Sequence, residues 1–243
     1  MTPDPDALLG GRVRYAQPEA GFRSGIEPVL LAASIPARPG DTVLEGGTGA
    51  GAALLCLASR VQGLRGLGIE RDPGLAELAR TNLATNGFAG IAIATGDLTT
   101  WSGQPDQPLF DHAFANPPYH EASGTPPQSP SRDSAKRGGP GLLAAWTRAL
   151  AGHLRRRGTL TLILPAARLP EALAGFAAAR CGSAAIMPLW PQAGRTAKLL
   201  LARAVREGRG PCRLLPGLAL HEAGGGYTAA AEAVLRRGAA LPF

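Results

Sequence analysis

Three carboxylates recur along the chain at intervals of about one strand–helix unit. Glu45, Glu70 and Asp97 are separated by 25 and 27 residues, and each follows a run of β-type apolar residues. Ligands bind beyond the carboxyl ends of the strands in an open parallel sheet, so we expect these acids to converge on one site. Carboxylates accept hydrogen bonds from ammonium and hydroxyl groups, which predicts a ligand that carries both.

A glycine-rich turn follows the first acid, with glycines at Gly47, Gly49 and Gly51. Such a turn lets the main chain approach a ligand closely and directs the next helix N-terminus toward it. Together with Ala52, and with Glu70 23 residues beyond Gly47, it also satisfies the dinucleotide fingerprint.

Glu45 argues against a dinucleotide, because an acid beside a pyrophosphate would repel it. S-adenosylmethionine fits better: Glu45 would receive its ammonium group, Glu70 its ribose hydroxyls and Asp97 its adenine amino group. Arg71 and Leu98, which follow two of these acids, are expected beside the same cofactor.

The tetrapeptide Asn116-Pro117-Pro118-Tyr119 follows the next apolar run. Prolines rigidify a turn and lack N–H donors, so the Pro117 carbonyl and the Asn116 side-chain oxygen could both accept from a planar amino group. Tyr119 could stack on the flat group that carries it. The chain here resembles the class I methyltransferases that methylate amino groups. That resemblance implies catalytic roles for Asn116, Pro117 and Tyr119, with Asn116 also touching the cofactor.

Further segments narrow the resemblance to bacterial N6-adenine methyltransferases that act on an anticodon-loop adenine of valine tRNA. They are the segment from Phe22 and Arg23 to Ala33, the pair Ala197-Lys198, and the stretch from Leu214 to Thr228. The resemblance implies that Phe22 and Arg23 contact the cofactor. It also implies a Rossmann-like α/β fold with a seven-stranded, mostly parallel sheet, an antiparallel last strand pair and helices on both faces.

The hydrophobic periodicity supports such a fold. Strands are predicted at 42–45, 64–70, 91–95, 110–115, 159–164, 184–189 and 198–205. Helices are predicted at 26–35 (amphipathic), 52–61, 73–86, 142–156 and 228–237. We expect residues 1–40 to form an N-terminal extension and residues 41–243 the methyltransferase domain, with a flexible Pro/Ser/Gly loop over 121–141.

Composition limits the protein class. The 243 residues are 45% hydrophobic, which excludes disorder, and no apolar run is long enough for a membrane span. Three cysteines without CxxC spacing predict a reducing compartment, the cytoplasm, and no metal site. Residues 132–243 hold 17 basic and 5 acidic groups, whereas residues 1–131 hold 8 and 13. We therefore expect the basic C-terminal half to bind a polyanion, here tRNA.

Other readings remain open at this stage. The same tetrapeptide serves enzymes that methylate a glutamine amide of a release factor, although those carry a helical domain ahead of the cofactor fold. DNA adenine methylation and a non-catalytic, cofactor-binding RNA chaperone are the further alternatives. Arg155, Arg156 and Arg157 are expected to cap a helix C-terminus, where cations are favoured.

Overall fold

The computed structural model describes residues 7–17, 25–103, 108–118 and 141–243. Eleven strands lie in this part of the chain: β1 (Ala7–Leu8), β2 (Val13–Arg14), β3 (Thr42–Gly46), β4 (Arg65–Glu70), β5 (Ile91–Thr95), β6 (Phe110–Ala115), β7 (Leu154–Pro165), β8 (Cys181–Gln192), β9 (Leu199–Arg206), β10 (Arg213–Leu214) and β11 (Leu218–His221). Six α-helices accompany them: α1 (Glu27–Ser34), α2 (Ala52–Arg60), α3 (Pro73–Thr85), α4 (Leu142–Gly152), α5 (Leu169–Ala178) and α6 (Ala229–Arg237).

Nine of these strands form one sheet, in the order β10-β8-β9-β7-β6-β3-β4-β5, with β11 also pairing with β8. Strands β3 to β7 run parallel, and β9 is antiparallel to both β7 and β8. The seven predicted strands are confirmed, and so is the antiparallel pairing of the last two of them, β8 and β9. The two short strands β10 and β11, which extend the sheet beyond β8, were not predicted, because two to four residues carry too little periodicity.

Alternating side chains divide the core into two layers. Val43 packs on the face covered by α1, α2, α3 and α6, and its neighbour Leu44 packs on the face covered by α4 and α5. Both faces of the sheet are therefore buried, which explains why the strands are almost continuously apolar. Helix α1 is more buried than an amphipathic pattern implies, since six of its eight residues are inaccessible.

The prediction of a helix over 142–156 is wrong at its end. Helix α4 stops at Gly152, and the main-chain N–H of Phe110 donates to the carbonyl of His153 at 2.9 Å. Leu154 then pairs with Phe110 as the first residue of β7. Arginine has a high helix propensity, but pairing with a neighbouring strand overrides it here. The arginines at 155–157 consequently belong to the start of a strand and do not cap a helix.

Asn82 of α3 and Asn86, which follows the last residue of that helix, hold the segment that precedes residue 18. Asn86 exchanges two hydrogen bonds with the main chain of Arg14, at 2.9 and 2.7 Å. Asn82, which is buried, does the same with Ala16, at 3.0 Å each, and its Nδ2 also donates to the carbonyl of Ala50 at 2.9 Å. Spaced one turn apart, the two amides mimic the edge of a strand and attach this segment to the glycine-rich turn.

None of the described helices is both long and apolar enough to cross a membrane.

Candidate functional site

The glycine-rich turn joins β3 to α2 and is fixed to the neighbouring strand. The N–H groups of Gly47 and Thr48 donate to the carbonyl of Ile69, at 2.8 and 3.1 Å. Gly47, Gly49 and Gly51 have φ angles of 65°, 56° and 92°, in the left-handed region that favours glycine. A Cβ on Gly49 would meet no atom within 4 Å. The turn therefore presents main chain to open space, as a close-fitting ligand requires.

Glu45 lies beneath this turn, in the last part of β3, and is only 4% exposed. The Thr48 hydroxyl donates to its Oε2 at 2.5 Å. Burial raises the pKa of Glu45 to about 8, and the nearby Glu70 carboxylate acts in the same direction. A buried carboxyl of this kind would hold a cation strongly, since the cation would replace its proton.

Glu70 ends β4 and bridges two main-chain segments. Its Oε2 accepts from the N–H of Gly49 at 2.8 Å, and its Oε1 accepts from the N–H of Asp72 at 2.9 Å. Asp72 in turn caps α3 by accepting from Gly74 and Leu75. The carboxylate predicted to bind ribose therefore also fixes the glycine-rich turn relative to the start of α3.

Asp97 follows β5, on the far side of β4 from β3. Its Oδ1 accepts from the N–H and the hydroxyl of Thr99, at 2.8 and 2.7 Å, and these bonds lower its pKa; Arg71 contributes in the same direction. The carboxylate is largely exposed and charged at neutral pH. The next residue, Leu98, is buried under Gly46, so only its main chain remains available to a ligand.

Strand β6 brings Asn116 to the same edge. Ala115 pairs with Gly46 of β3, so the residue that follows it lies beside Gly47. Asn116 is half-buried and Pro117 is buried. The structure thus brings Asn116 together with the glycine-rich turn and the three acids. Phe22, Arg23, Tyr119 and the predicted loop over 121–140 lie outside the described residues.

Trp146 also belongs to this edge, and the sequence reasoning missed it. It lies on α4, and its indole packs so closely on Gly47 that a Cβ there would be 2.5 Å from Cη2. One turn later on the same helix, Leu150 packs against Gly46. The i, i+4 spacing of two large apolar residues in the helix after the tetrapeptide was the available signal.

The three histidines among the described residues lie apart from the three acids and the glycine-rich turn. His112 lies at the opposite edge of the sheet, bonded to Thr159 and Asp41, and His153 contacts the carbonyl of Trp101. His221 stacks on Tyr227, with ring centroids 4.9 Å apart. Within the ranges that the structure describes, no three His, Cys, Asp or Glu side chains are grouped as metal ligands would be.

Comparison with known proteins places this arrangement among methyltransferases. Residues 30–116 match the model of the protein-L-isoaspartate(D-aspartate) O-methyltransferase family. The matched segment is about a third of the chain, and its last residue is Asn116. Among curated proteins, the chain is 30% identical over 147 residues to a tRNA1(Val) (adenine(37)-N6)-methyltransferase of Actinobacillus succinogenes, covering 60% of this chain and 61% of that protein.

It is also 37% identical over 114 residues to the enzyme of the same name from Porphyromonas gingivalis, covering 44% of this chain and 45% of that protein. The matches thus span about half the length of these curated relatives. Among solved structures, a protein from Agrobacterium tumefaciens that is described as a predicted O-methyltransferase is similar with a TM-score of 0.73 and 26% identity, covering 88% of this chain and 98% of that one. Together with the sheet order, this similarity establishes that the chain has the Rossmann-like class I methyltransferase fold.

Proposed function

We propose that the protein transfers a methyl group from S-adenosylmethionine to the exocyclic N6 of an adenine in tRNA. The observation that carries this proposal is the pairing of Gly46 with Ala115, which sets Asn116 beside the glycine-rich turn. An acceptor for an amino group therefore lies beside the glycine-rich turn, at the same edge of the sheet as the three strand-end acids. Curated relatives that carry the name of such an enzyme support the same substrate.

The residues fit the cofactor in their donor and acceptor types. Glu45 would accept from the ammonium group, Glu70 from the ribose hydroxyls and Asp97 from the adenine amino group. Gly47, Gly49 and Gly51 shape the turn, Gly49 leaves room for the methionine and sugar, and Arg71 and Leu98 border the adenine. Phe22 and Arg23 remain predicted contacts. The bound cofactor supplies an electrophilic methyl group on a sulfonium.

The tetrapeptide would prepare the nitrogen that receives the methyl group. Asn116 Oδ1 and the Pro117 carbonyl would each accept one N–H of the target amino group, and Tyr119 would stack on the base. With both N–H protons of the amino group held in the plane of the base, the lone pair of its nitrogen points out of that plane, toward the methyl group of the cofactor. The acceptors strengthen as positive charge develops on nitrogen, so they act mainly on the transition state.

An RNA substrate is favoured by the groups that extend this edge of the sheet. Strand β8 ends at Gln192, which pairs with His221 of β11. The stacked rings of His221 and Tyr227 are half-exposed at this point. Arg195 and Lys198 are exposed in the adjoining connection between β8 and β9. Aromatic rings and cations together are the usual components of single-stranded nucleic acid binding. An enzyme of this kind would act in the cytoplasm, where tRNA is found.

The test is nucleoside mass spectrometry after incubation with labelled S-adenosylmethionine and unmodified tRNA. Labelled N6-methyladenosine in RNA is the expected product, and N116A provides the matched inactive control. Label on a release-factor glutamine would identify the protein-methylating alternative, and label on duplex DNA would identify the DNA one. Cofactor binding without methyl transfer to tRNA, a release factor or DNA would support the alternative of a non-catalytic RNA chaperone.

A further inference from the structure

A cluster of arginines occupies the edge of the sheet opposite to the candidate site, where the parallel strands begin. We call it the amino-edge arginine cluster. Its residues come from β7, the turn before β8, the end of the antiparallel β9 and the segment that leads into β10. Its members are Arg155, Arg156, Arg157, Arg180, Arg206, Arg209 and Arg213.

Strand pairing and main-chain contacts bring these segments together. Arg206 pairs with Cys181, and the N–H of Glu207 donates to the carbonyl of Arg180 at 2.8 Å. The Arg156 guanidinium lies 3.4 Å from the Glu207 carboxylate, which connects β7 to the end of β9. The N–H of Gly210 donates to Ser183 Oγ at 2.8 Å and holds the residue after Arg209 against β8. The cluster is therefore one continuous surface.

A bulge in the sheet exposes the first three arginines. Phe110 pairs with Leu154 and His112 pairs with Thr159, so the four residues from 155 to 158 face Asp111 alone. Gly158 allows β7 to resume its pairing with β6 at Thr159, since a Cβ on Gly158 would lie 2.9 Å from the carbonyl oxygen of Asp111. Bulges of this kind redirect side chains and are retained features of a sheet. Here the bulge turns the arginines outward, and the Arg156 side chain is 80% exposed.

Strained main chain accompanies the cluster. Arg157, Arg180, Ser183 and Glu207 have φ angles of 68°, 55°, 53° and 56°, and these are four of the five non-glycine residues with positive φ in the described part of the chain. Such conformations are strained and persist where the surrounding contacts enforce them. The arginines are thus displayed by a rigid frame.

The charges of the cluster are largely unbalanced. Seven guanidinium groups meet two carboxylates, Asp111, bonded to Arg155 at 2.6 Å, and Glu207. Asp111 is buried, whereas the Arg156–Glu207 pair is open to solvent and therefore weak. A concentration of arginine with so few acids is the electrostatic feature of a phosphate-binding surface, and guanidinium groups bind phosphate in bidentate fashion.

We propose that the amino-edge arginine cluster binds the phosphate backbone of the tRNA substrate at a distance from the methylated adenine. This inference rests on the proposed function. Asp111, which Arg155 contacts, lies five residues before Asn116 on β6, a rise of about 16 Å. The RNA must therefore extend past the side of the sheet to reach both places. A whole tRNA is large enough for this, whereas a hairpin in which about three base pairs close the target loop, a stem rise of about 10 Å, is too short to reach the cluster from the catalytic edge.

The experiment compares R156E/R209E with the matched control R14E/R237E. The control makes the same charge change at exposed residues of β2 and the last turn of α6, away from the cluster. The neutral pair R156Q/R209Q covers the case in which a new acid beside Glu207 destabilises the fold. Binding of full-length tRNA and of a short target-loop hairpin is measured over a range of salt concentrations, together with the single-turnover rate at saturating RNA.

We expect R156E/R209E to weaken full-length tRNA binding at least tenfold and to reduce the salt slope of log K by about two, one for each lost phosphate contact. Hairpin binding and the saturated rate should stay within twofold of wild type, and the control should match wild type. Unchanged tRNA affinity and slope in both cluster variants would overturn the inference. So would cluster-dependent binding to phosphatidylserine vesicles without any loss of tRNA binding.

The two proposals fail in different ways. If the wild-type protein methylates no RNA yet R156E/R209E loses tRNA affinity, the cluster remains an RNA-binding surface and the proposed reaction is wrong. If the wild type methylates tRNA and both cluster variants bind it normally, the reaction stands and the cluster has no part in RNA binding.

Discussion

The Glu70 carboxylate accepts a hydrogen bond from the N–H of Gly49 at 2.8 Å. The acid predicted for the ribose thus already fixes the turn that would enclose the cofactor. One oxygen lies toward the turn and the other toward Asp72 at the start of α3, so a ribose has to share these acceptors. Loss of Glu70 would remove a ligand contact and loosen the turn together.

The E70A substitution should therefore weaken S-adenosylhomocysteine binding by about ten- to a hundredfold, the effect of losing charge-assisted hydrogen bonds. Isothermal titration calorimetry measures it. E77A is the control, because Glu77 is an exposed residue of the same helix, α3, and forms a salt bridge with Arg80. An unchanged dissociation constant for E70A would remove Glu70 from the site. NAD should not bind to either protein, and tight NAD binding would restore the dinucleotide interpretation.

Glu45 should make cofactor binding depend on pH. Its pKa of about 8 means that the free protein holds a proton there at pH 7, whereas an ammonium ligand requires the carboxylate. Binding should therefore release about one proton at pH 7, and affinity should rise up to about tenfold per pH unit toward pH 8. Above that pH the ligand's own ammonium group deprotonates and the rise ends.

Calorimetry in two buffers of different ionisation enthalpy measures this proton release, and E45Q should abolish it. Stability follows the same linkage. Because the folded pKa is raised above 4.5, the contribution of Glu45 is fully present below pH 4.5 and is lost as pH rises through 8. E45Q should gain stability relative to wild type over that interval. A flat affinity between pH 6 and 8 would show that Glu45 does not meet the ammonium group.

Asn116 should matter for transfer much more than for binding. N116A should lower the single-turnover rate about a hundredfold, or about 3 kcal/mol, with cofactor and tRNA affinities changed less than threefold. N116D keeps the acceptor and should retain more activity than N116A. Rapid-quench measurement with labelled cofactor distinguishes the variants. A near-normal rate in N116A would make the tetrapeptide a structural turn only.

Gly47 and Gly63 offer a matched pair for the close approach of Trp146. Both have positive φ, 65° and 69°, but a Cβ would strike the Trp146 indole at Gly47 and nothing within 4 Å at Gly63. G63A should cost about 1–2 kcal/mol of stability from strain alone, and G47A about 2 kcal/mol more from overpacking. Urea unfolding gives both values. In a W146A background the excess should vanish, and its persistence would contradict the steric explanation.

Trp146 should also report on the cofactor. Its indole packs on the turn that would contact the ligand, whereas Trp190 bonds through Nε1 to the carbonyl of Pro216, at the outer edge of the sheet. Trp101 packs on Gly96 beside Asp97 and would also respond to the ligand, so it is replaced in every protein compared. Titration with S-adenosylhomocysteine should change tryptophan fluorescence in W101F and W101F/W190F, and the change should be lost in W101F/W146F. A full signal in W101F/W146F would mean that the ligand lies away from Gly47.

The residues at the carboxyl ends of the parallel strands could be predicted from the sequence, because their positions follow directly from strand periodicity. Glu45, Glu70 and Asn116 each end a buried apolar run, and parallel strands bring such ends together. The positive φ angles at the glycines also follow from residue type. Trp146 could not be placed in this way, because its position depends on how α4 packs across the sheet, and local spacing alone does not determine that packing.

The amino edge was the harder part. The arginines at 155–157 were assigned to a helix because their propensity and the preceding alanines favour one. What decides their structure is a partner 44 residues away, where Phe110 pairs with Leu154. Likewise, strand β10 becomes part of the sheet only through its register with Ala185 and Ile186. Pairings between distant segments leave no local pattern that a single sequence reveals.

The contacts that Asn82 and Asn86 make with the segment before residue 18 determine when that segment can fold. Arg14 and Ala16 find their partners 72 and 66 residues later, at Asn86 and Asn82. During synthesis the early segment has nothing to bind until the whole β3–α2–β4–α3 unit has emerged from the ribosome. At about 5–20 residues per second, that delay lasts several seconds. The segment then docks on α3 as a closing step.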